Sequence, residues 1–205
     1  MTLYNDYPQD TRRFLPHVLG LFFALKGLMG LSAGHPVETD SARIAMNGAF
    51  ILDFLKSGEW FQPLGFAQTY YENLPALSLH IHPPLFPLFE ALVFGITGPN
   101  AVAAKLLVGI FVYGSAILFY RLIFRTQGSV AVSAGATILL FSLNLFHYLS
   151  SDIRIEFPTL FFMLLGLHAF LDVKASATIR KAIICGLFFA AAIWTKQQAA
   201  LIIFM

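Results

Sequence analysis

Charge is scarce in this sequence. Lys, Arg, Asp and Glu together make up 12% of its 205 residues, about half the share of an ordinary soluble domain. Apolar residues account for 58%, and one core cannot hide that much apolar surface from water in a chain of this length. A soluble fold is therefore excluded. Net charge is also small, at +2, which leaves no basic footprint for nucleic acid. Cysteine is nearly absent: Cys185 stands alone within an apolar run, so neither a disulfide framework nor a thiolate metal site can be built. Low-complexity segments and internal repeats are missing, and no small-residue cleavage signal follows the first apolar run. That run reads as a retained helix and not as a removable signal peptide.

Long apolar runs are abundant. A helix needs about 20 apolar residues to cross about 30 Å of hydrocarbon, and residues 14–33, 101–124, 129–149, 157–171 and 182–205 meet or approach that length. The run at 84–96 is shorter, closes with Gly95 and Gly98-Pro99, and reads as a helix lying in or dipping into the interface. Basic residues decide the topology. If 84–96 does not cross, Arg12-Arg13, then Arg121 with Arg125, then Lys174 with Arg180-Lys181 all fall on one side, as the positive-inside rule requires. The expected fold is an all-α polytopic transmembrane helical bundle. It has about five spans, with interfacial helices in a first outer loop at 34–100 that includes a helical pattern from Thr39-Asp40 to Ser57-Gly58 and an irregular aromatic stretch after it. An integral membrane protein follows, with any chemistry on the non-cytoplasmic face; the cell (inner) membrane is the expected location. The last run ends without a polar flank at Met205, so the chain is expected to be the amino-terminal part of a longer protein, inactive alone.

The outer face collects the remaining charge. Asp40, with Glu38 two residues before it, can take a proton from a hydroxyl or amine acceptor or can simply cap the helix that follows. Asp152, Arg154 and Glu156 alternate ahead of Pro158. They form either a helix start with a loop salt bridge or a second carboxylate facing the same pocket as Asp40. His80 and His82 share one side of an extended segment, but no third ligand follows at a metal-site spacing. No metal ligands are assigned, and dependence on a divalent metal is left open. Lys196 lies about 21 Å across the bilayer from Ala182 at 1.5 Å per residue. A lysine at that depth faces a cavity, pairs with an acid or snorkels outward. Gln197 and Gln198 beside it favour a cavity. Lys26 in the first run also needs a partner.

The order of short motifs is informative. Asp40 is followed by Ser57-Gly58-Glu59-Trp60, His82-Pro83-Pro84-Leu85, Gly98, Ala104-Lys105-Leu106, Glu156-Phe157-Pro158 and Thr195-Lys196. This order resembles the amino-terminal part of the GT-C membrane glycosyltransferases, of the protein O-mannosyltransferase and aminoarabinose-transferase type. The resemblance implies an inverting transfer of a sugar from a polyprenyl-phosphate donor to a glycan, lipid or protein acceptor outside the cytoplasm. It implies a catalytic Asp40 and a second acid at Glu156, with Asp152 competing. It also implies that His82 contacts the donor phosphate; a leaving phosphate needs cationic donors in a low-dielectric site, which makes Lys196, Lys105 and Arg154 candidates beside it, with Glu38 and His80 secondary. Three positions depart from the family pattern: His82 stands where lysine is frequent, Glu156 where aspartate is usual, and Ser41 where a second acid would follow Asp40. The expected partners are the bilayer, the lipid-linked donor and the acceptor, with no nucleic acid and no assigned cofactor. A fragment of a transporter or lipid-substrate flippase is the competing reading, with Lys26, Lys196 and Glu156 marking its path. A non-catalytic membrane scaffold is a third.

Overall fold

The computed structural model describes residues 9–29, 39–75, 77 and 82–203. Among the described residues the chain is all helical, with ten helices and no strand. They are α1 (Gln9–Leu28), α2 (Thr39–Ser57), α3 (Pro63–Asn73), α4 (Leu85–Thr97), α5 (Ala101–Gln127), α6 (Val130–Phe141), α7 (Asn144–Ser150), α8 (Glu156–Ala175), α9 (Ile179–Thr195) and α10 (Ala199–Ile203).

Local chemistry sets most of these ends. The Asn100 side chain accepts from the Ala103 N–H and opens α5, and Gly128, at φ 70°, closes it in the left-handed conformation that glycine adopts most readily. Ser129 and Thr178 cap α6 and α9 in the same way as Asn100. Helix α3 falls in the stretch expected to be irregular. Pro63 occupies its first turn, a position proline suits. Phe66 and Tyr70, one turn apart, pack against Phe50 of α2 with ring centroids at 5.5 and 5.0 Å. Burial against α2 supplies the order that the local sequence does not announce.

Contacts fix the direction of each helix. Along α1 and α5, His17 meets Tyr113 at 2.7 Å while Gly109 faces Leu28, so the two run antiparallel. Helix α8 runs parallel to α5: the Ser115 hydroxyl points to the Phe157 carbonyl, His168 Nε2 donates to the Leu118 carbonyl, and Arg125 binds Asp172 at 2.7 Å. Helix α9 returns along α8, from Lys181 beside Ser176 and Asp172 to Lys196 beside Glu156. Arg12 lies within electrostatic reach of Tyr120. The three basic clusters therefore share one end of the bundle, while Glu156 and Lys196 lie at the other. Close approach depends on small residues; a Cβ on Gly114 would stand 2.6 Å from the Phe161 ring.

Two helices, α5 and α8, are long and apolar enough to cross a membrane, and α6 with α7 forms a third such unit if that bent pair counts as one span. Helix α1 carries Arg12, Arg13 and Lys26 within its twenty residues. Large apolar side chains such as Leu21, Leu92, Ile110, Leu139 and Leu187 are exposed, the pattern of a surface that meets lipid.

Two runs expected to be single helices are broken. The run at 129–149 bends by 70° between α6 and α7, where Leu143 adopts a non-helical backbone (φ −58°, ψ 140°). Phe141 is anchored there against Phe23 and Phe157. The run at 182–205 stops at Thr195, because Lys196 is extended (φ −150°, ψ 117°) and its side chain turns to Glu156.

Candidate functional site

The end of the bundle away from the basic clusters gathers four chain segments. Asp40 sits in the first turn of α2, its side chain 62% exposed, 3.8 Å from Arg43 one turn later and 3.8 Å from Arg154. Arg154 comes from the link between α7 and α8 and is the better fixed partner. One of its nitrogens donates to the Tyr148 hydroxyl at 2.6 Å, its guanidinium stands 5.1 Å from the centre of the Tyr148 ring, and its side chain is only 13% exposed. Two residues later, Glu156 opens α8. Its Oε1 accepts from Lys196 Nζ at 2.8 Å, while Oε2 is buried with no hydrogen-bond partner among the described residues. Asp40–Arg154 and Glu156–Lys196 are thus two ion pairs at one end of the bundle, linked by the two-residue step from Arg154 to Glu156.

The other expected site residues are placed differently. Asp152 is buried, and its Oδ1 accepts from the Ile153 N–H at 2.8 Å, so it organises the link that carries Arg154. Lys105 is buried in the second turn of α5 and makes no hydrogen bond or ion pair among the described residues. His82 is half-buried just ahead of α4. Glu38 and His80 lie outside the described residues. Lys26, partly buried, neighbours Gly27, which abuts the Ser150 backbone. Among the described residues no group of three or more His, Cys, Asp or Glu side chains converges to hold a metal ion.

Three polar residues that the structure singles out escape sequence reasoning. Arg43 is one turn from Asp40, but nothing local shows which way it turns. Tyr148 is indistinguishable from any interfacial tyrosine. Glu90 did carry a signal, as a lone acid in the apolar helix LFPLFEALVFGIT. It is fully buried with neither carboxyl oxygen hydrogen-bonded among the described residues, and burial pushes its carboxyl well above the usual range. It packs against Gly48 of α2, where an added Cβ would stand 2.5 Å from the Glu90 Cβ.

Two grooves lie elsewhere on the bundle. An apolar groove of about 660 Å³ runs between α1 and α5, and its polar groups are those of the His17–Tyr113 pair. A more polar cleft of about 430 Å³ sits between α2 and α3, lined by Asp53, Glu59 and Tyr70 among others.

Residues 81–205, well over half of the chain, match the family model described as dolichyl-phosphate-mannose-protein mannosyltransferase. The chain belongs to this family. Membership makes it a membrane glycosyltransferase of the kind that uses a lipid-linked sugar donor. The matched segment contains His82, Lys105, Arg154, Glu156 and Lys196, whereas Asp40 and Arg43 lie ahead of it. No curated protein and no solved structure matches the chain.

Proposed function

We propose that this mannosyltransferase-family chain provides the amino-terminal part of the active site of an inverting glycosyltransferase. The donor is a polyprenyl-phosphate sugar and the acceptor a hydroxyl or amine of a glycan, lipid or protein. One observation carries the reading: the Asp40–Arg154 and Glu156–Lys196 pairs lie at the end of the bundle opposite all three basic clusters. Under the positive-inside rule that end is non-cytoplasmic. The spans at 14–33, 101–124, 129–149, 157–171 and 182–205 then place the loop at 34–100 on the outer side of the cell membrane, with α2 to α4 at the interface.

In the reaction Asp40 accepts the proton of the acceptor O–H or N–H as that atom attacks the anomeric carbon. The bond from that carbon to the carrier phosphate oxygen breaks, its electron pair stays on the phosphate, and the configuration inverts. The leaving phosphate gains negative charge, so it needs fixed cationic donors in a site of low dielectric. Arg154 is the best oriented of these. Lys196 is already neutralised by Glu156, and the pair holds the start of α8 against the end of α9. His82 and Lys105 remain candidates for the phosphate from the α4 and α5 side.

The test uses the full-length parent protein in membranes with labelled polyprenyl-phosphate sugars, following release of polyprenyl phosphate. Asp40→Asn is expected to lower turnover by at least about a hundredfold, the scale of a lost general base, without unfolding the protein. Unchanged turnover in Asp40→Asn and Glu156→Gln would remove the site assignment. No turnover with any donor, together with substrate flux into sealed vesicles, would favour a transporter.

A further inference from the structure

Asp40 and Arg154 are unequal partners. Their 3.8 Å separation exceeds the 2.7–3.2 Å typical of a hydrogen bond, and Arg43 holds Asp40 no more closely. Asp40 is thus attracted from two sides but bonded on neither, and most of its side chain is in water. Arg154 is the opposite. The Tyr148 hydroxyl and ring hold it, and its side chain is largely withdrawn from solvent. A planar guanidinium fixed in this way is suited to present two donors to an oxyanion such as phosphate. The carboxylate beside it is easily displaced.

We propose that Arg154 exchanges anions during the reaction cycle, pairing with Asp40 in the empty site and with the carrier phosphate once the donor binds. This rests on the glycosyltransferase reading and adds an order of events to it. Donor arrival draws the guanidinium to the phosphate and leaves the Asp40 carboxylate free for the acceptor proton. Before the donor arrives, the Asp40 carboxylate stands between two guanidinium groups; afterwards only Arg43 remains beside it. Asp40 and the phosphate therefore compete for one cation, so an uncharged residue at position 40 strengthens donor binding even as it removes the base. Tyr148 is a positioning residue, since it acts only through Arg154.

The experiment measures equilibrium binding of polyprenyl phosphate to the full-length protein in nanodiscs, alongside sugar turnover. Asp40→Asn is expected to bind about two- to fivefold tighter than wild type, the range for release of one exposed ion pair, and to lose turnover. Asp40→Ser, also uncharged, guards against a defect peculiar to the amide. Arg154→Gln is expected to bind more weakly. The double variant Asp40→Asn/Arg154→Gln should gain little over Arg154→Gln, because the Arg154 guanidinium that the exchange requires is gone and only Arg43 remained beside Asp40. Added salt should shrink the Asp40→Asn gain by screening the pair. Unchanged or weaker binding in both position-40 variants, in a protein whose wild type still transfers sugar, overturns the exchange alone. Absence of both binding and turnover in every variant overturns the exchange together with the glycosyltransferase reading.

Discussion

Lys196 Nζ lies 2.8 Å from Glu156 Oε1, and each charge sits at the helix end whose dipole favours it. Glu156 is in the first turn of α8, where partial positive charge gathers, and Lys196 follows the last residue of α9, where partial negative charge gathers. The pair therefore ties two antiparallel helices at the same end that carries Asp40 and Arg154, and it accounts for the helix break between α9 and α10.

Removing one member of this pair should be costly. Both side chains are about 30% exposed, between the exposed pairs worth up to about 1 kcal/mol and the buried ones whose breaking costs about 3–5 kcal/mol. Glu156→Gln and Lys196→Met are each expected to destabilise the protein by about 1–3 kcal/mol. The double variant should recover part of that loss. Thermal unfolding of the four proteins in one detergent gives the coupling, and strictly additive losses would mean that the two residues do not interact.

The approach of α2 to α4 makes a second prediction. A Cβ on Gly48 meets the Glu90 Cβ at 2.5 Å and the Phe94 ring at 3.2 Å, so Gly48→Ala overpacks the contact and should cost about 1–3 kcal/mol. A Cβ on Gly135 in α6 would meet nothing within 4 Å among the described residues, and Gly135→Ala should be neutral or gain up to about 1 kcal/mol from helix propensity. Because Asp40 rides on α2, Gly48→Ala should also lower turnover. Equal Tm values for the two variants would refute the close packing.

Legibility in the sequence follows the range of the forces involved. Helix α2 was readable from Thr39 to Ser57 because its start and stop signals are local, and α4 and α5 were bounded by Gly98 and Asn100 for the same reason. Helix α3 and the breaks at Leu143 and Lys196 were not, because a tertiary partner decides each: the Phe50 ring, the anchored Phe141 and the Glu156 carboxylate. At the site, periodicity and the positive-inside rule placed Asp40, Arg154, Glu156 and Lys196 on one face. Which acid would meet which cation depends on how α2 docks beside the link before α8, and no local pattern encodes that. Tyr148 was invisible for this reason, whereas Glu90, an isolated acid among apolar neighbours, could have been flagged by composition alone.

Tyr70 gives a prediction at alkaline pH. Its hydroxyl donates to Asp53 Oδ2 at 3.0 Å, and burial, followed by that hydrogen bond and the nearby carboxylate charge, pushes its pKa up to about 12. The folded protein holds this proton more tightly than the unfolded chain, whose tyrosine titrates near 10. The stabilisation is complete below about pH 10 and is lost as pH rises towards about 12. Tyr70→Phe should lack that alkaline decline while losing the hydrogen bond at all pH values. Parallel Tm–pH curves for wild type and Tyr70→Phe across this interval would disprove the assignment.

Glu90 gives an experiment of the same sign near neutrality. Its carboxyl is buried where α4 packs on α2, with both oxygens unbonded among the described residues, and burial raises its pKa well above the ordinary value. The folded state therefore keeps a proton that the unfolded chain releases as pH rises past the usual carboxyl range. With more protons bound in the folded state, stability falls with increasing pH. The decline starts near the unfolded pKa and ends only above the raised folded value. Glu90→Gln fills nearly the same space without an ionisable group and removes this dependence. It should match wild type closely at about pH 4, exceed it in Tm at pH 7 to 8, and keep α2 and Asp40 in place, so turnover should persist. Glu90→Asp, shorter but still ionisable, should lose packing and keep the pH dependence. A difference between wild type and Glu90→Gln that stays constant from pH 4 to 8 would mean that Glu90 does not fold as the neutral acid.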